Sequence, residues 1–236
     1  MITLAFDSVA KVASVAVCDG TRLLAQYNID NGLTQSELLL PMAEDMLKSL
    51  RLKFDDVKLL ACTVGPGSFT GVRIGVSLVK GLAFGKNIPC VGVSSLEALA
   101  ENLAPLGGIL VPCMDARRGQ LYTALFRSEG GKITRLTQDD AISYSALAEL
   151  LRQYEGEDIY LSGDGYDTAR AALLREGIAL KETPKLLIPE NAYSCAVVAH
   201  RMHERGELTS DTCIAPTYLR MPQAERERLE REKQNN

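Results

Sequence analysis

Histidine is scarce in this chain. Two occur in 236 residues, His200 and His203, both in "AHRMHERGE". Their spacing puts both on one helix face, yet no third ligand accompanies them and H-E-x-x-H is missing, so no metal site is expected. Surface positions on a polar helix face are the simpler expectation. Other absences narrow the function further. There is no G-x-S-x-G elbow, and Ser68 in "PGSFTG" has no evident base partner. No apolar run approaches the length of a membrane span, and no basic leader precedes "MITLAFD", which reads as a buried strand and not a signal peptide. Basic excess is also lacking. A formal charge of −4 argues against a protein that grips nucleic acid alone, although a local basic patch stays open. The six cysteines contain no C-x-x-C and mostly sit in apolar runs such as "LLACTV" and "IPCVGV". They read as small buried hydrophobes of a reducing, cytoplasmic compartment, not as disulfides or zinc ligands.

What is present is an ordinary globular composition, 46% apolar and 24% charged, in a chain long enough for one large domain or two small ones. The opening alternates strands and turns. "ITLAF" and "VASVAVC" are followed by Asp19-Gly20, a hairpin signal, and by "TRLLAQYNI". A helix over "SELLLPMAEDMLKSL" follows, with Ser36 as N-cap and Pro41 near the first turn, then a buried strand "VKLLACTV". That strand runs into "GPGSFTGVRIG" at residues 65–75 and a helix ending near Gly85, and "PLGG" marks a domain boundary after the helix "SSLEALAENLA".

The second half restates this plan. "GILVPCMDARRGQLYTALF" matches "ITLAFDSVAKVASVAV" with Asp115 in the place of Asp7, and "DIYLSGDGYDTARAALL" matches "LLACTVGPGSFTGVRIGVSL". A duplication of alternating strands and helices predicts an α/β fold of two lobes, each a mixed sheet flanked by helices, on the plan of actin and the sugar kinases (the ASKHA, ribonuclease H-like class). The expected division is an N-terminal lobe over 1–104, a second lobe over 105–190, and a helix and strand over 191–220 returning toward the first lobe. A charged tail over 221–236 would follow, solvated or frayed.

The glycine stretch fits neither named phosphate loop. Gly65, Gly67 and Gly71 are one residue too widely spaced for G-x-G-x-x-G, and no Gly-Lys-Ser/Thr closes a P-loop, although a helix start can still face an anion. An interior helix glycine costs roughly 1 kcal/mol against alanine, so Gly75 and Gly81 call for an offsetting close approach. Tight packing on the chain's own sheet is one reading. The other is contact with a second subunit, and the neighbouring helix favours it, because its apolar residues run too far round for one buried face. The candidate interface comprises Leu39, Met42, Ala43, Met46, Gly71, Gly75, Leu78, Val79 and Leu82, in a contact of about 800 Å² per partner.

Asp7 and Asp115 both end strands where the lobes would face each other. Asp7 is followed by "SVAKVAS", without the glycine that lets a backbone approach phosphate, which argues against tight ATP binding. Arg117 and Arg118 in "DARRGQLY" suit phosphate, nucleotide or carboxylate recognition, or else plain salt bridges.

"AFDS", "GPGSFTGVRIG", "GVSSLEALA", "MDARRGQLY" and "APTYLR" together resemble the bacterial TsaB family, also called YeaZ, from residue 1 to about 220. The resemblance implies the actin-like two-lobe fold. It also implies a non-catalytic subunit that pairs with a catalytic paralogue, TsaD, so that a threonylcarbamoyl group reaches the adenosine beside the anticodon in tRNAs reading ANN codons. An ATPase, TsaE, would join the assembly, tRNA would be met indirectly through the complex, and the subunit alone would form a homodimer through the helices at 36–50 and 70–84. No tightly bound cofactor is implied, only weak nucleotide binding at a subunit interface, with Asp7, Arg73, Asp115, Arg117 and Arg118 as candidate nucleotide or partner contacts. The rival expectation is a stand-alone enzyme, a glycoprotease-like peptidase or an ATP-dependent kinase.

Overall fold

The computed structural model describes residues 1–220; the charged tail expected over 221–236 lies outside the described residues. The first lobe is a five-stranded mixed sheet in the order β3-β2-β1-β4-β5, formed by β1 (Ile2–Asp7), β2 (Ala13–Asp19), β3 (Arg22–Ile29), β4 (Val57–Gly65) and β5 (Cys90–Ser94). The Asp19-Gly20 hairpin is present, with Gly20 in the left-handed region at φ +61°. Side chains alternate between the two faces as a pleated strand requires. Leu4, Phe6, Leu60 and Cys62 pack toward α1 (Gln35–Ser49) and α2 (Phe69–Ala83). The intervening Ala5, Ala16 and Ala61 pack against α6 (Ala192–Glu204), whose facing residues include Ala192, Ala196 and Ala199. Small side chains on both surfaces let that helix lie close.

The start of α1 differs from expectation. Thr34, not Ser36, caps it, and the Thr34 N–H donates to the Glu37 carboxylate at 3.2 Å in a capping box. Pro41 consequently falls inside the helix, beyond the first turn.

The second lobe is a six-stranded sheet of β6 (Gly108–Asp115), β7 (Gln120–Thr123), β8 (Phe126–Glu129), β9 (Lys132–Arg135), β10 (Asp140–Ser143) and β11 (Ile159–Ser162). Asp115 lies opposite Leu121 and Gly108 opposite Ser128, so β7 and β8 hold one continuous register against β6 and act as a single strand interrupted at Ala124–Leu125. β6 therefore pairs antiparallel on one edge and parallel with β11 on the other, as β1 does with β2 and β4. This is the duplication legible in the sequence, and the fold is the actin-like two-lobe type. The copy is incomplete, with no described equivalent of β5. Helices α4 (Tyr144–Arg152) and α5 (Tyr166–Arg175) cover one face. The other face receives α3 (Ser95–Leu103) from the first half, while α6 of the second half crosses to the first sheet. The lobes are thus clasped by exchanged helices. After α6 the chain forms an isolated bridge, Cys90 to Thr209, in place of the expected returning strand. Among the described residues no helix is long and apolar enough to cross a membrane.

Candidate functional site

The glycine stretch is where the two ends of the first lobe meet. β4 delivers it across the turn that follows β1, and the Ser68 N–H donates to the Val9 carbonyl at 2.7 Å. A Cβ on Gly67 would stand 2.7 Å from that same carbonyl, one on Gly71 would overlap the Ser8 carbonyl oxygen, and one on Gly75 would stand 2.7 Å from Ser8 Oγ. Ser8 Oγ in turn donates to the Gly71 carbonyl at 2.8 Å. Ser68 caps α2 by accepting the Gly71 N–H, which gives its hydroxyl a structural role. The second lobe repeats the device, since Cβ atoms on Gly163 and Gly165 would meet the Cys113 carbonyl at the end of β6.

These contacts correct the expected interface. Gly71 and Gly75 admit the chain's own β1–β2 turn. Leu39, Met42, Ala43, Met46 and Val79 are buried against the first sheet, because they form the inward stripes of α1 and α2. Leu78 and Leu82 are half-buried and lie on the outer side of α2. Beside them is an apolar groove between α1 and α2, lined by Leu39, Leu40, Phe69, Ile74, Ser77 and Leu78. Leu40 is 39% exposed and Phe84, just past α2, is 79% exposed. Gly81 continues this outer stripe, and a Cβ there would meet nothing within 4 Å. Gly81→Ala is accordingly expected to stabilise the isolated protein by about 0.5–1 kcal/mol, read as a rise in denaturation midpoint. A fall would show that the position is already packed.

Between the lobes lies a cleft of about 540 Å³. Asp115, Arg117 and Arg118 line it, together with Lys11, Ser68 and Arg220 among others. Asp115 is engaged in its own turn, accepting the Arg117 N–H at 2.7 Å. Asp7 does not line the cleft. It is buried behind it, accepting Thr63 Oγ1 at 3.0 Å and the Val9 N–H at 3.2 Å, and burial pushes its pKa up to about 6. Arg73 lies outside as well, on α2, with its guanidinium 3.7 Å above the Phe69 ring and its Nε donating to Tyr218 Oη at 2.8 Å. The five candidate contacts therefore divide between cleft, core and outer helix face.

Two functional-looking carboxyls escaped the sequence reading. Glu190, which accepts the Asp164 N–H at 3.1 Å, is 3% exposed. Burial, reinforced by Asp7 and Asp164, raises its pKa to about 8. Asp164 accepts the Asp115 N–H at 3.0 Å and is itself raised by burial. A carboxylate in the otherwise apolar "LLIPEN", just before the helix cap Asn191, was the available signal. The histidines also differ from expectation. Neither is fully exposed, and His200 sits 3.6 Å from Glu204 with its side chain only 17% exposed. Among the described residues no group of three His, Cys, Asp or Glu side chains is placed to hold a metal ion.

Residues 34–227 match the family model described as TsaD, tRNA N6-adenosine threonylcarbamoyltransferase. The tRNA threonylcarbamoyladenosine biosynthesis protein TsaB of Bacillus subtilis is 28% identical over 99% of this chain and its own whole length. The protein of the same name from Escherichia coli is 29% identical over 93% of this chain and 95% of its own. A crystal structure from Pseudomonas aeruginosa, described as an uncharacterized protein with similarity to peptidase YeaZ, superposes with a TM-score of 0.80 at 25% identity. It covers 93% of this chain and 99% of its own.

Proposed function

This chain belongs to the TsaD family of tRNA N6-adenosine threonylcarbamoyltransferases and, within it, to the TsaB (YeaZ) proteins, and on that premise we propose that it is the non-catalytic subunit that holds a TsaD-like catalytic paralogue. Its place is in threonylcarbamoyladenosine biosynthesis on tRNA. The observation that carries the scaffold reading is the open apolar groove between α1 and α2, with Leu40 exposed on it. Such a surface excludes water only when another helix or a second copy covers it. The buried residues of the two helices set its rigidity; Leu40, Ile74, Leu78, Leu82 and the open Gly81 form its contact face. In this reading the chain alone pairs with itself through that face, a TsaD-like subunit displaces the second copy, and a TsaE-like ATPase joins afterwards.

The buried Asp7 argues against the chain acting as a kinase by itself. Its Oδ1 accepts from both Thr63 and the Val9 amide, and it is 1% exposed, so no phosphate reaches it. Nucleotide, if held, is held weakly and at the subunit boundary. Transfer of the threonylcarbamoyl group to the adenosine amine is assigned to the partner.

The test is the solution mass of the purified chain, alone and with its TsaD-like partner, followed by a tRNA modification assay. A homodimer that gives way to a heterodimer, with modification only when both are present, is expected. Leu40→Glu, on an exposed site of α1, should weaken pairing by about 30-fold, corresponding to about 2 kcal/mol, while thermal stability stays unchanged. Pairing that tolerates this charge would place the contact elsewhere.

A further inference from the structure

We propose that the mouth of the interlobe cleft is a direct contact for the phosphodiester backbone of RNA, so that this subunit touches the tRNA itself. The identity of the RNA rests on the family reading above; the contact rests on the cleft's own charges.

In a chain of net charge −4, most of the described arginines away from the cleft are matched to carboxylates. Arg127 holds Glu157 at 2.6 Å, Arg201 holds Glu101 at 2.6 Å, and Arg135 holds Glu97 and Asp139. Around the cleft the pattern reverses. Among the described residues Lys11, Arg118 and Arg220 have no carboxylate partner within 4.0 Å. Arg220 donates to the Ala116 carbonyl at 2.7 Å, which fixes its position without neutralising it. Arg117 reaches Asp115 only at 3.7 Å, with its side chain 87% exposed. Opposite them, α2 opens onto the same cleft through Ser68 and Thr70 and adds the positive end of a helix dipole. Against these cations stand Asp115 and Asp164, and Asp164 already accepts a backbone N–H.

The backbone supplies an independent indication. Arg117 and Arg118 adopt φ of +63° and +55°, followed by Gly119 at +71°. Two successive side chains in the left-handed region are disfavoured, and strain of this kind gathers where a ligand must be met. Its effect here is to stand both arginines out at the lip, where both are exposed.

The distribution of charge selects the class of anion. Val9, Ala10, Met114 and Ala116 supply buried apolar lining to the cleft, whereas Lys11, Arg117 and Arg118 are exposed. The cations lie on the rim. A small phosphate compound inside the cleft would share it with that hydrocarbon and with the Asp115 and Asp164 carboxylates, whereas a run of phosphates lying across the exposed Lys11, Arg117 and Arg118 meets one cation after another.

The experiment is titration of a fluorescent, unmodified tRNA transcript reading ANN codons into the chain assembled with its catalytic partner, over a range of salt. Arg118→Glu is expected to lower affinity about tenfold and to reduce the log–log salt slope by about one unit for each phosphate no longer neutralised. Arg118→Gly should lower affinity too, while raising Tm because the left-handed strain is relieved. Arg152→Ala, which removes an arginine paired with Glu149, should change neither the affinity nor the slope. Equal tRNA affinity and salt slope in wild type and Arg118→Glu, in a complex that still modifies tRNA, would overturn the contact and leave the family role intact. Absence of modification with the wild-type chain would instead overturn the family role. Displacement of the transcript by equimolar ATP, with Arg118→Glu losing ATP binding, would reassign the cations to a mononucleotide.

Discussion

Gly71→Ala is expected to leave little folded protein, with a loss of about 3 kcal/mol or more in any fraction that does fold. The added methyl group would occupy the position of the Ser8 carbonyl oxygen, which is backbone and cannot rotate away. That carbonyl belongs to the turn after the central strand β1, and the Ser8 hydroxyl is tied to Gly71 itself at 2.8 Å. Relief would require α2 to lift from the sheet, and with it Val72, Val76 and Val79, all buried. Gly75→Ala should be milder, about 1–2 kcal/mol, because its obstacle is the rotatable Ser8 hydroxyl, though at 2.7 Å and in the core. Urea denaturation of the two variants beside Gly81→Ala checks the order: severe, moderate, stabilising. Should Gly71→Ala instead fold normally and lose only its partner, the glycine would be serving an interface after all.

The second large effect is on pH. Folded Glu190 has a pKa of about 8 against 4.5 for the free side chain, and folded Asp7 about 6 against 3.8. Both are raised, chiefly by burial, so the folded state holds protons that the unfolded state has already released. Their combined effect on stability is therefore most favourable below pH 3.8, and it is lost as pH rises through 6 and then 8. Denaturation midpoints should fall from pH 5 to pH 9, by an amount on the order of a few kcal/mol across the window. Glu190→Gln keeps an oxygen to accept the Asp164 N–H and cannot ionise beside Asp7 and Asp164. It should match wild type near pH 5, exceed it at pH 8 to 9, and flatten the profile. Parallel profiles for the two proteins would show that Glu190 does not carry the dependence.

Because Asp164 belongs to the turn after β11 and Asp7 ends β1, this proton-holding group lies between the lobes. Ionisation of Glu190 would act on their spacing before it acts on global unfolding. Amide exchange at residues 163–166 and 190–192, compared at pH 6 and pH 9, is expected to report that local loosening first.

Period-2 alternation in "ITLAFD" and "VASVAVC", the Asp-Gly hairpin and the strand-glycine-helix order fix local structure through contacts within a few residues. The repeated order of elements announced the duplicated actin-like fold, and the family was legible in "GPGSFTGVRIG" and "MDARRGQLY". Periodicity also showed that α1 and α2 are apolar over more than one face. It could not say which face meets the chain's own sheet, since a helical stripe carries no label for its partner. Hence Leu39, Met42, Met46 and Val79, expected at an interface, are buried, while Leu40 and Gly81 lie open. The reason for Gly71 depended on Ser8, far away in sequence and in contact only after β1 and β4 pair. Burial of Asp7, the raised pKa of Glu190 and the gathering of Lys11, Arg118 and Arg220 at one cleft likewise depend on distances between remote segments. Those distances exist only once the lobes have closed on each other.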